Sequence, residues 1–508
     1  MSTTPRRKSK WKVFLILALL LAAFGGWFGW LKFFREVDQP PFANEAERFK
    51  YGSIGAEVNR GIPYWIWVVL PRVFPDLLPG PGGYKSFGLV WEEGQELPSG
   101  FSKKIVGFPR VANNCATCHT GSWRASPDET PHVVVGAASH TSDVQGMIRF
   151  LYRSANDPRF NADVLMPQIE SEIRLSLVDS LLYRYLIIPA AKRELAAQKD
   201  AFAWMDRAHM PAWGKGRDDP MNLTKYFMTG MAKDETTGQA DFPSIWNLKV
   251  RKGDGLYLNW SCDTPAVRSV IIDSALGLGA APGNFPNQPQ DFLGRVRGQL
   301  DWMNWRMKRR AWFENRMAEV DHFLSELPPP KYPFPINAEL AAKGRPIYDL
   351  HCADCHEPGR PRTNKPIPLA EIGTDRERMY TWIKAAADTA NERVKSFGID
   401  RPNMVKIEAY QSPPLDGIWL RAPYLHNGSV PTLTDLLKPV EQRPKVFYRG
   451  YDVYDPATVG FITTGPAAER AGWRHDVSVR GDSNVGHTYG IDLSAEDKTA
   501  LVEFMKSL

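Results

Sequence analysis

The chain has 508 residues, too many for one small domain and enough for two or three units with cores of their own. With 43% hydrophobic and 24% charged residues it is globular rather than disordered. The net charge of +6 is small for this length and gathers at the start, in Arg6, Arg7, Lys8, Lys10 and Lys12, which excludes nucleic-acid binding.

Directly after those charges, "VFLILALLLAAFGGWFGWL" (Val13 to Leu31) holds no charged residue. A helix needs about 20 apolar residues to cross a bilayer, so the run predicts a single transmembrane helix with its basic flank kept in the cytoplasm. A cleaved signal peptide is the competing reading. Trp27, Phe28 and Trp30 lie beyond the small residues near Ala23, where an interfacial aromatic belt would sit, and favour an uncleaved anchor.

Residues 37–110 are rich in Trp, Tyr, Pro and Gly and predict irregular structure with short helices. Their last part, "PSGFSKKIVGFPRVANN", reads as loop. Leucines and isoleucines at helical spacing from Asn161 to Arg207 predict two helices broken at Pro189. "AWGKGRDDPMN" reads as a turn; its Gly-x-Gly is too short for a dinucleotide loop. A long helical pattern covers residues 288–327, and "PPPKYPFP" from Pro328 to Pro335 reads as a stiff linker. Leu340, Gly344, Ile347 and Tyr348 then recur at helical spacing, with Pro346 an awkward resident. In the closing stretch Ser494 caps a helix, with Asp497 three residues on, and Leu501, Phe504 and Leu508 form its apolar stripe. Strand signals are few. The predicted fold is mainly α: residues 1–36 as basic tail and membrane anchor, 37–327 and 337–508 as two domains with extensive irregular loops, and 328–336 as linker.

Two C-x-x-C-H pentapeptides carry the chemistry: Cys115, Cys118 and His119 in "NNCATCHTGSW", and Cys352, Cys355 and His356 in "HCADCHEPG". The spacing puts two thiols on one turn, each able to reach a vinyl group of one porphyrin, and brings the histidine up beneath the iron. A redox pair does not need the histidine, and a zinc site needs a further ligand pair that is not visible. Two covalent haem c groups, with His119 and His356 as axial ligands, are therefore expected in an exported chain. The second motif follows a helix like that of a small cytochrome c; the first does not. No internal repeat beyond these motifs is evident. The fifth cysteine, Cys262, has no disulfide partner and reads as a small buried residue or a reactive thiol.

"PPLDGIWLRAPYLHNGSVPTLTDLL", Pro413 to Leu437, closely resembles the second-domain motif of bacterial di-haem cytochrome c peroxidases. "FPSIWNLKVRKGDGLYLNW" and "RGDSNVGHTYGIDLSAEDK" are similar to the branch that contains the di-haem rubber oxygenases. The resemblance implies two cytochrome c-like domains on the periplasmic side of the inner membrane. It also implies that substrate reacts at the amino-terminal haem, while the carboxy-terminal haem stores or passes electrons. By the same resemblance Trp246 matches a pocket tryptophan, and a Ca2+ between the domains is an open expectation. Rubber cleavage itself does not carry over, since a tether would hinder work on an external polymer.

A carrier haem wants two strong protein ligands and a catalytic one wants an open or weakly held side. For the second haem the candidates are His487, then His426, for which the resemblance implies a place beside the haem without ligation, then Met404. For the first they are His132 and His140, or an open face. Arg217 and Arg268 are candidate partners of haem propionates. The function expected is a redox enzyme acting on peroxide or dioxygen, with electrons exchanged with a periplasmic or membrane donor; a pure electron-transfer cytochrome is the alternative. No acid–base pair near the first motif can be named from sequence.

Overall fold

In a computed structural model, which describes residues 9–253, 255–282 and 292–508, about half of the chain is helical. One helix, Ser9–Phe33, meets the rest of the chain only near its last turn. Its stretch Trp11–Phe33 has a mean hydropathy of 2.1 with none of it buried, and is long and apolar enough to cross a membrane. Arg6, Arg7 and Lys8 lie outside the described residues.

Only two residues separate this helix from a sheet. Glu36–Val37 (β1), Ile62–Pro63 (β2), Phe101–Val106 (β3) and Phe108–Asn113 (β4) form an antiparallel sheet in the order β1-β3-β4-β2. The stretch expected to be loop is thus a hairpin. Its glycine and prolines mark the turn rather than the absence of strand. Val106 pairs with Phe108 across Gly107, which takes φ +72°, and a single-residue turn of that hand favours glycine. The Gly107 N–H donates to the Arg35 carbonyl, and a Cβ there would meet the Lys32 carbonyl at 2.2 Å. The hairpin tip is therefore pressed against the end of the apolar helix.

The helical stretch from Asn161 also departs from expectation. Helix Ala162–Glu172 ends before Ser176, and the chain then runs as helix from Leu177 to Ala196 straight through Pro189. A π turn at Tyr183–Ile187 lies just ahead of Pro189, loosening the ladder where the proline cannot donate. Asn161 and Ser176 cap the two starts, so the real break sits where the caps are.

Of the three large cores, one is built on Trp67, Leu70 and Phe150 within the first half, and the other two join the halves. The first of these two gathers Leu248, Ile272, Trp305 and Met317 and takes in Trp382, Ala390 and Met404 from beyond the Pro-rich stretch. The other is built on Trp419, Tyr454 and Leu501 and takes in Trp123 and Trp246 from before it. Each of the two thus borrows from the other half of the chain. "PPPKYPFP" is extended but packed: the Trp419 indole donates to the Pro330 carbonyl. As expected, helix Ala338–His351 runs through Pro346 and crosses the closing helix Ala495–Met505, where a Cβ on Gly344 would meet the Ala500 carbonyl at 2.0 Å.

Buried ion pairs reinforce the junction. Arg217, fully buried, donates to Asp482 at 2.5 Å and to the Asn427 carbonyl. Arg449 pairs with Asp241 beside it, and the Asp241 N–H donates to the His426 carbonyl.

Candidate functional site

Each C-x-x-C-H segment is one helical turn, with the histidine N–H donating back to the first cysteine carbonyl: His119 to Cys115 at 3.2 Å, and His356 to Cys352 at 3.0 Å. That turn is what sets both thiols and the imidazole on one face. The first turn is clamped from outside. The Asn114 side chain accepts from Ala116 N–H and donates to the Lys50 and Gly52 carbonyls, while Thr117 donates to the Gly100 carbonyl. The second turn continues directly from helix Ala338–His351.

A second layer of repetition, invisible in the spacing, holds the imidazoles. His119 Nδ1 donates to the Pro243 carbonyl at 2.9 Å, and His356 Nδ1 to the Pro413 carbonyl at 2.7 Å. These bonds fix the tautomer and leave Nε2 of each ring for the iron. Burial lowers the His119 ring to about 4 and lowers His356 as well, so both are neutral near pH 7, as a metal ligand must be. "PSIW" and "PPLDGIW" are the sequence trace of this repeat, blurred because the second carries three more residues between proline and Ile-Trp.

Opposite His356 stands His487, its ring centre 6.2 Å away and its plane inclined by 47°. Two imidazoles that share one iron have ring centres roughly 6 Å apart, since each metal–nitrogen bond is about 2 Å and each centre lies about 1 Å behind its nitrogen. His487 takes φ +45° on a loop that Arg443 braces through the carbonyls of Asn484, Gly486 and His487. Burial, then His356 and Arg443, lowers its ring to about 3.

Both rings line a cavity of about 1560 Å³, counting the part open to solvent. Cys352, Cys355, Ile372, Leu415, Leu437 and Tyr489 line it, and so do Phe242 and Pro243 from the first half of the chain. Two buried guanidiniums also face it. Arg421 donates to the Pro414 carbonyl and to Asp416, yet its Nε has no partner. Arg251 has no hydrogen-bond partner among the described residues and a buried Nε as well. Burial and the neighbouring Arg421 hold Arg251 down at about 10. Two cations sharing one carboxylate beside an apolar slot lack an anion. Haem c fits: thiols and facing imidazoles for its ring and iron, Arg251 and Arg421 for its propionates.

The other sequence candidates do not face His356 or His119 as His487 faces His356. His426 lines the cavity, but its ring stacks on Tyr410 at 4.0 Å. Met404 is packed in the core around Trp305 and Met317. The exposed His132 stacks on Trp123 and pairs with Glu129, and His140 is buried face to face with Phe461 at 3.8 Å. Among the described residues no ring faces His119 as His487 faces His356. Arg217 is committed to Asp482 and Arg268 is exposed, so the propionate partners are those that sequence reading missed. Their sign was there in "VRKGDG" and "WLRAP", with no indication that both reach one slot. Cys262 is buried at φ +51°, its thiol pushed up by burial, which makes it unreactive. Trp246 is fully buried; its N–H donates to the Asp416 carbonyl at 2.9 Å and Arg421 lies over its ring at 5.4 Å. It does not line the cavity, and a guanidinium at that distance disfavours positive charge on the indole.

Asp218 is a further residue the sequence did not single out. Burial, and after it the Asp218 charge, pushes the Cys118 thiol up, and burial raises the Asp218 carboxyl itself to about 7. Among the described residues no group of three His, Cys, Asp or Glu side chains could hold a further metal ion.

A family described as RoxA-like, cytochrome c-like, matches residues 409–448, the stretch that carries Pro413, Arg421 and His426. A RoxA-like cytochrome c domain thus lies toward the C-terminus of the chain. Haem c is the cofactor such a domain takes. The chain is 25% identical to an uncharacterised protein, y4iJ, of Sinorhizobium fredii across 89% of each chain. It is also 30% identical over 208 residues to y4iM of the same organism, a match covering 35% of this chain and 47% of that protein.

Proposed function

We propose that the chain is a membrane-anchored, periplasmic di-haem c-type cytochrome of the peroxidase superfamily. In this reading the second site is a closed relay, and the first is where peroxide or dioxygen reacts. The observation that carries it is the asymmetry of the ligands: His356 has His487 opposite at 6.2 Å, and His119 has no such partner among the described residues. Haem c supplies one-electron iron chemistry and, where a coordination position stays free, a place for a small oxidant.

The chain's own residues divide the remaining work. His119 and His356 are oriented by proline carbonyls, which keep their rings neutral and aimed. Arg443 stiffens the loop behind His487, so the second site resists opening. Pro243 supports the exchange of electrons between the sites, since its carbonyl holds His119 while the residue itself lines the cavity of His356. Asp218, protonated below about pH 7, can hold or release a proton beside the first site. Trp246 is retained as a spacer between the units.

Optical and EPR spectroscopy with carbon monoxide tests this reading. One low-spin bis-histidine centre and one centre that binds the gas are expected. Two centres that both refuse carbon monoxide in the reduced state would replace it with pure electron transfer.

A further inference from the structure

The segment after Ser176 exposes a face that a water-facing helix would not. Leu177 is 79% exposed, Tyr185 66%, Leu186 52%, Leu181 49% and Val178 45%, while Tyr183 and Ile187 on the other side enter the core. The spacing of 177, 178, 181 and 185 sets these side chains on one stripe. A contiguous apolar stripe of this kind marks a surface that something covers.

Its place in the fold says what covers it. Lys32, in the last turn of the apolar helix, bonds Asp179 at 2.6 Å, within the same helical turn as Leu177 and Val178. Phe33 meets Phe108 edge-on at 6.4 Å, and Phe108 meets Tyr183 at 6.3 Å. The stripe is thus held beside the point where the helix Ser9–Phe33 ends. Phe34, Val37 and Ile105, 46%, 37% and 41% exposed, extend the apolar surface at that point.

We propose that helix Leu177–Ile187 lies in the headgroup–acyl boundary of the bilayer that the anchor crosses, so that the body is docked on a phospholipid leaflet as well as tethered to it. The inference rests on reading Ser9–Phe33 as an uncleaved anchor. Buried on one side by the core and on the other by acyl chains, the helix behaves as an interfacial helix. Tyr185 presents an amphipathic ring at the level where aromatic belts form.

The test uses the full chain in nanodiscs of phosphatidylethanolamine and phosphatidylglycerol, with photoreactive p-benzoylphenylalanine replacing single residues. Leu19 in the anchor, Leu181 in the stripe, and Leu350, 79% exposed in the carboxy-terminal unit, are the three positions. Irradiation is expected to add one phospholipid mass at Leu19 and at Leu181, and none at Leu350. An adduct at Leu19 without one at Leu181 leaves the anchor standing and overturns the docking. Adducts at neither overturn both the anchor and the docking. Adducts at all three positions show contact without a site and overturn the docking as well.

Discussion

The two C-x-x-C-H turns are built alike and set in unlike surroundings. Each has a histidine N–H bonded to its first cysteine carbonyl and an imidazole hung on a proline carbonyl. The second continues from a helix that crosses the closing helix, and it faces His487; the first is braced by a hairpin and by Asn114, with Asp218 near one thiol. The lesson is that the attachment motif fixes only the near side of a haem. What the far side does is decided by distant chain, as His487 lies 131 positions beyond His356.

The largest effect comes from erasing that contrast. In His487→Ala the second site loses its facing ring, so carbon monoxide titration should rise from one site to two; His426→Ala, whose ring is stacked on Tyr410, should leave it at one. A rise with His426→Ala and none with His487→Ala would reverse the assignment of ligands.

Next in size is the junction that keeps the two sites in register. Arg217→Met leaves Asp482 buried without its cation, which costs about 3–5 kcal/mol and should appear as a lowered unfolding midpoint in denaturant. An unchanged midpoint would mean that the two halves do not depend on this pair.

A third prediction concerns pH. The Asp218 carboxyl rises from its ordinary 3.8 to about 7 on burial, so the folded chain keeps a proton that the unfolded chain has released. Stability should therefore fall as pH climbs from about 4 to about 7 and change no further through this group above that. Asp218→Asn should remove this part of the slope and raise the melting temperature at pH 8 by a few degrees, followed by calorimetry. An identical slope in the variant would place the proton on another group.

The smallest effect is expected at Trp246. Trp246→Phe removes one hydrogen bond to Asp416 and should cost about 1–2 kcal/mol, with the carbon monoxide stoichiometry unchanged. A variant of normal stability that exchanges electrons between the two sites more slowly would instead make the indole a relay.

Much of the near side could be read from the chain alone, because covalent attachment demands adjacent residues in a strict order. The apolar helix and the capped closing helix were legible for similar local reasons, whereas His487, whose ring faces His356, was singled out by its glycine-rich loop and by family resemblance together. The proline carbonyls were not, since a backbone oxygen leaves no residue-type signature and the two prolines sit at different distances from their Ile-Trp pairs. Arg251 and Arg421 escaped because their convergence is a tertiary fact: one belongs to a short helix before the Pro-rich stretch and the other lies after it. The hairpin Phe101–Asn113 was hidden by its own turn glycine and by Pro109 just after it.

The junction at Phe34 and Arg35 has a further consequence. Two residues span at most about 7 Å, so the body has almost no leash. In the anchored reading proposed above, the body would diffuse along a membrane and spin about its anchor without leaning out to fetch a partner. A soluble donor or acceptor would come to a face whose height above the lipid is set by the fold.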